Sequence, residues 1–189
     1  MPRYINRKNK EYFLHKSKTK TGKDRYYFSQ KLSGATSGKV PDGYEVYEAP
    51  NGVFYIRKIQ EQIITDEEKR IVEDGLKKFT NLKYFKVYVK KNIISIYTPI
   101  QDIDAIVDIM NSYKSVSKED IELIQTTIEY KTEMQFVLVD KKERLFNAQR
   151  YNYRGSIDDW MDIDFFQPLD VLVELYVEHL GKESFFELY

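Results

Sequence analysis

The chain has 189 residues, of which 42% are apolar and 15% aromatic, and its thirty Lys and Arg balance thirty Asp and Glu. It holds no cysteine, which excludes disulfides, thiolate metal centres and thiol nucleophiles. Sixteen Tyr and eleven Phe supply large buried areas at few side-chain torsions and argue against a disordered chain.

Residues 1–10 are polar and basic and read as a loose arm. Their run Met1-Pro2-Arg3-Tyr4-Ile5-Asn6-Arg7-Lys8 lacks the apolar stretch of a signal peptide. Glu11–His15 and Arg25–Ser29 read as strands by aromatic enrichment. They are joined by turn chemistry at Thr19–Asp24, with Gly22 free to take a positive φ. The segment 34–38 reads as a loop. The clearest hairpin pairs Tyr44–Glu48 with Val53–Arg57 across Ala49-Pro50-Asn51-Gly52, where Asn and Gly tolerate the left-handed conformation of a tight reversal.

The pattern then changes period. Thr65-Asp66-Glu67-Glu68 is a capping box, and Ile71, Val72, Leu76 and Phe79 form one stripe of a helix ending near Phe79. Residues 83–90 alternate as a strand, and Lys91-Asn92 turns into a second strand over 93–98. Ile103, Ile106, Val107 and Met110 space a helix over 102–111. Residues 117–130 begin like a helix but are rich in Thr and Ile, so helix and strand both stay open. Strands follow at 134–140 and 144–151. The segment 152–164 reads as irregular and polar. Pro168 suits the first turn of a last helix over 168–180, with Gly181 as its left-handed cap.

The expected fold class is therefore α+β: antiparallel sheet with helices packed on one face, preceded by a small β-rich N-terminal module. The expected division is a basic β-rich module over 1–60 and an α+β domain over 61–189. No stretch approaches the ~20 apolar residues that span a bilayer, so a cytoplasmic protein with no membrane partner is expected.

Arg25-Tyr26-Tyr27-Phe28-Ser29, Pro41–Glu48 and Pro50-Asn51-Gly52 together resemble, over residues 25–58, a short module of uncharacterised bacterial proteins. The resemblance implies a bacterial or phage origin and carries no activity with it.

Charge is segregated along the chain. Residues 1–40 hold eleven Lys and Arg against Glu11 and Asp24, and residues 151–189 hold Arg154 and Lys182 against nine carboxylates. The basic end interleaves cations with aromatic rings. Cations neutralise phosphates and release counterions, and exposed rings stack on unpaired bases. Arg3, Arg7, Lys8, Lys10, Lys16, Lys20, Lys23 and Arg25 are the candidate phosphate contacts, with Tyr26 a candidate for stacking. The competing reading is a solvated arm, or a basic end docked on the acidic one.

Arg150 and Arg154, in a Tyr- and Gly-containing stretch, are candidate contacts for an anion or a peptide; pairing with the neighbouring aspartates is the alternative. Asp158, Asp159 and Asp162 are the candidate ligands for a hard divalent cation. Asp158-Asp159-Trp160-Met161-Asp162 matches the DDxxD string of prenyl synthases, but those enzymes are all-helical and this chain has several strands. No Walker, Rossmann or nucleophile-elbow pattern occurs. His15 and His179 have no metal-ligand spacing.

The leading expectation is a non-enzymatic binding protein whose N-terminal module contacts nucleic acid, with no cofactor. The alternatives are a protein-interaction module or homo-oligomer, and a metal-dependent hydrolase built on the aspartates.

Overall fold

The computed structural model describes residues 1–154 and 157–188, with side chains for all of these except 153, 154 and 157. The fold is α+β, as expected, with antiparallel sheets and helices in two compact units. One unit comprises Met1–Gln60 and Asp102–Glu129; the other comprises Glu61–Gln101 and Tyr130–Tyr189. No helix among the described residues is long and apolar enough to cross a membrane.

In the first unit, β1 (Arg3–Ile5), β2 (Glu11–Lys18) and β3 (Asp24–Ser29) form an antiparallel sheet in the order β1-β2-β3. The expected loose arm is therefore a strand and a turn. The correction has a local cause: Asn6 is buried, and its side-chain oxygen accepts from the Lys8 and Lys10 amides at 3.0 and 2.7 Å. The same side chain donates to the Gly52 carbonyl. One polar residue thus fixes the turn that folds β1 onto β2.

β4 (Tyr44–Glu48) and β5 (Phe54–Lys58) form the expected hairpin, with Gly52 at φ 78°. The pleat of β1-β2-β3 places Tyr4, Tyr12 and Phe28 on one face. The Phe54 ring of β5 lies against all three, at 6.1, 5.5 and 5.7 Å between centroids. Such tilted and edge-on contacts suit the ring quadrupoles.

The unit is completed by α2 (Ile103–Asn111) and α3 (Lys118–Thr127). The open choice over 117–130 resolves to helix because Ser117 and Asp120 form a reciprocal capping box. That box satisfies amides which the Thr and Ile content alone would not.

The second unit is a five-stranded antiparallel sheet in the order β10-β9-β8-β7-β6. Its strands are β6 (Lys86–Lys90), β7 (Ile93–Pro99), β8 (Tyr130–Asp140), β9 (Leu145–Arg154) and β10 (Ile157–Pro168). The described residues of the segment read as irregular, 152–154 and 157–164, are thus the end of β9 and most of β10; residues 155 and 156 lie outside the described residues. Polarity concealed it: β10 is an edge strand, where carboxylates are tolerated on both faces and discourage pairing with another chain. Register shifts at Asp162/Asp164 and Asp164/Gln167 bend it.

Ile94, Ile96, Met134, Phe136, Phe146 and Ala148 line the buried face of this sheet. On that core lie α1 (Asp66–Phe79) and α4 (Leu169–Tyr176), through Val72, Leu76, Leu172 and Val173. The capping box at Thr65 and Glu68 starts α1 as its sequence predicts. Gly75 lies where the two helices come into tight contact: a Cβ there would sit 2.1 Å from Val173 Cγ1. The last helix is shorter than expected, giving way to a 3-10 turn at Val177–His179 before Gly181 at φ 78°. Its N-cap residue is Pro168, which makes no side-chain cap hydrogen bond.

Candidate nucleic-acid interface

The turn over residues 19–23 sets which basic side chains share a face. The Gly22 amide bonds to the Thr19 carbonyl at 2.9 Å, and the Thr19 hydroxyl accepts from the Lys23 amide at 3.1 Å. This closes β2 on β3 with Lys16 opposite Tyr26, Ser17 opposite Arg25 and His15 opposite Tyr27. Alternation then puts Lys16, Lys18 and Tyr26 on one face of the hairpin and Arg25, Tyr27 and His15 on the other.

On the first face Asp24 is shared by two ammonium groups. Lys16 Nζ lies 2.9 Å from Asp24 Oδ2, and Lys18 pairs with the other oxygen. The hydrogen bonds from Lys18 and then Lys16 hold the Asp24 carboxyl below the usual aspartate range. The bond to Asp24, followed by one to Tyr26, raises Lys16. Lys16 Nζ also stands 5.5 Å from the Tyr26 ring centroid. On the second face the Arg25 guanidinium lies 6.0 Å from the Tyr27 centroid, and Tyr27 stacks on the buried His15 ring at 5.2 Å. His15 Nε2 bonds to the Lys31 carbonyl at 2.8 Å. Tyr27 is 39% exposed, whereas Tyr26 is half-buried.

The remaining candidates divide by what they touch. Arg3 pairs with Glu11 at 3.0 Å. Arg7 is tied to the β4–β5 hairpin through Glu48 Oε1 at 2.7 Å and the Ala49 carbonyl at 3.0 Å. Lys8 Nζ donates to the Thr127 and Ile128 carbonyls at 3.0 and 3.2 Å. There it closes the C-terminus of α3, where a cation also meets the negative end of the helix dipole. Lys10, Lys20, Lys23 and Arg25 are exposed, and among the described residues no carboxylate pairs with them. The nine candidates therefore do not form one surface. Arg3, Arg7 and Lys8 are engaged within the unit, and the cations that reach water without a carboxylate concentrate at the β2–β3 hairpin. Tyr27, which is not among the candidates, is the more exposed ring; alternation separates it from Tyr26 but carries no signal of which face meets solvent.

Arg150 lies elsewhere in kind: it is 3% exposed, and its Nε donates to the Leu188 carbonyl at 2.8 Å. It anchors the C-terminal segment. The Arg154 side chain lies outside the described residues. Asp158, Asp159 and Asp162 sit on β10, where the pleat turns Asp159 to the opposite face from the other two. Asp162 Oδ1 accepts from Gln149 Nε2 at 2.8 Å, and Asp159 Oδ1 from the Trp160 amide at 2.7 Å. Among the described residues no group of three or more carboxylates and histidines could hold a metal ion. His179 Nδ1 bonds to Ser184 Oγ at 2.8 Å, a local contact across the turn at Gly181. No protein-family model matches the chain, and no curated protein or solved structure does.

Proposed function

We propose that the protein binds nucleic acid through the β2–β3 hairpin, holding the phosphate backbone rather than reading bases. One observation carries the reading: Lys16, Lys18, Lys20, Lys23 and Arg25 gather on one hairpin, and Asp24 is the single carboxylate between Glu11 and Asp42. The surplus of positive charge attracts a polyanion and gains from counterion release. The exposed Tyr27 ring beside Arg25 adds a surface on which an unpaired base stacks. Nothing in this hairpin selects one sequence over another, so binding is expected to be indifferent to base composition and to involve no turnover.

The test is fluorescence anisotropy of a labelled single-stranded oligonucleotide against the full chain over a range of salt. Each phosphate contact to a single strand contributes ~0.7 to the slope of log affinity on log salt. Lys20→Glu with Lys23→Glu therefore lowers that slope by about 1.4, and at ~0.05 M salt weakens binding about tenfold per lost contact. Unchanged affinity and slope in this double variant would refute the reading.

A further inference from the structure

The second unit presents a face that folding does not explain. Phe165 and Phe166, near the end of β10, are 53% and 61% exposed. One turn into α4, Val171 and Leu175 lie four residues apart on a single outward stripe and are themselves exposed. Phe166 also has φ 54°, a left-handed conformation that an aromatic L-residue rarely adopts. The register shift between Asp164 and Gln167 puts it there, and its amide is held by Asn147 Oδ1 at 3.1 Å. Asn or Gly would serve this backbone better, and a ring left in water returns little to the core. Bulges of this kind re-aim side chains beside functional surfaces.

The sequence through these residues carries charge of one sign. From Asp158 to Glu178 the sequence carries seven carboxylates and no Lys or Arg. Three of them, Asp170, Glu174 and Glu178, are exposed on the same helical turns as Val171 and Leu175. An apolar stripe rimmed by carboxylates complements a segment that is apolar on one side and cationic on the other.

We infer that the outer face of α4 and the Phe165–Phe166 corner form a docking surface for a Lys- or Arg-bearing amphipathic helix of a partner protein. The rings and the Val171–Leu175 stripe take the partner's apolar side, and the carboxylates steer its cations and fix its orientation. This surface belongs to the second unit and is separate from the β2–β3 hairpin in both residues and sign of charge.

The test uses the full chain and two labelled peptides of identical Leu and Lys content, one ordered as an amphipathic helix and one scrambled. The ordered peptide is expected to bind at least tenfold tighter than the scrambled one. Phe166→Asn is expected to abolish that preference while raising the Tm by about 2 °C or more, because it releases the left-handed strain. Loss of binding with a gain in stability is a signature that a merely structural ring would not produce. Asp170→Lys with Glu174→Lys slows association in a salt-dependent way, and Lys20→Glu with Lys23→Glu leaves peptide binding unchanged. Equal affinity for both peptides, or wild-type binding by Phe166→Asn, would overturn the inference. So would a dimer in light scattering that dissociates in Phe166→Asn, since a second copy would then occupy the face.

Discussion

Replacing Gly75 by alanine tests how α1 meets α4, because two opposing terms must be weighed. In an open helix interior the change is favourable by ~1 kcal/mol. Here the new methyl would lie 2.1 Å from Val173 Cγ1, against an ordinary carbon–carbon separation of roughly 3.5–4.0 Å. Val173 cannot yield easily: it is 2% exposed, among Val72, Leu76 and Leu172, none of which reaches solvent. Overpacking a core of this kind costs ~1–3 kcal/mol, and a clash of this depth belongs at the upper end. The net expectation for Gly75→Ala is a loss of about 1–2 kcal/mol, or a Tm lower by roughly 2–8 °C. Val173→Ala alone removes two methyl groups, at about 0.8 kcal/mol each before any cavity term. In the double variant the offending Cγ1 is gone, and the nearest Val173 atom, Cβ, stands at an ordinary 3.6 Å. The pair is therefore expected to be less destabilised than the sum of the singles by about 1 kcal/mol or more. Urea melts followed by the fluorescence of Trp160, the chain's single tryptophan, report on the same unit. A Gly75→Ala variant as stable as the parent, or strict additivity, would refute the packing argument.

Two further outcomes are expected besides those attached to the hairpin and to the α4 face. Arg144 donates to Glu68 Oε1 from Nε and Nη2 at 2.9 and 2.6 Å, while Glu68 also accepts from the Thr65 amide at 2.8 Å. Arg144→Met leaves that buried carboxylate without its cation and should cost about 2–3 kcal/mol in urea melts, whereas no loss would remove the pair from the fold's support. The hydrogen bond from Lys114, then the Ser117 amide, holds the Asp120 carboxyl down at about 2. Its folded value lies below the unfolded one, so its stabilising contribution is complete above the ordinary aspartate value and is lost as pH falls through about 2. Carbon-detected titration should show that low midpoint and its upward return in Lys114→Ala.

What the sequence made legible was local. The Thr65–Glu68 box, the turn at Gly22, the Gly52 reversal and the alternation through Val87 and Val89 depend on residues within a few positions of one another. What it hid depends on distant partners. Arg7 looked like a free cation, but its partner Glu48 lies forty-one positions away in the sequence. Arg150 looked like a loop residue, but its partner is the Leu188 carbonyl, thirty-eight positions on. β10 looked irregular because an edge strand need not alternate, and only its pairing with β9 reveals it. Net charge per segment located the basic hairpin; which of its cations stay free was decided by pairings that no spacing rule expresses.

The β7–β8 pairing shapes how the chain is assembled. Pro99 stands opposite Tyr130, so the stretch 100–129, of which Asp102–Glu129 belongs to the other unit, leaves and rejoins the sheet at adjacent points. In topological terms it is an insertion at the tip of a hairpin. Relative to a two-residue connection, closing so long a loop costs about 2.4 kcal/mol of chain entropy. During synthesis the first unit has all its segments once residue 129 has been made, whereas the second still lacks Tyr130–Tyr189. Transplanting 102–129 out of the chain, with a tight turn in its place, leaves every strand partner of the five-stranded sheet still encoded.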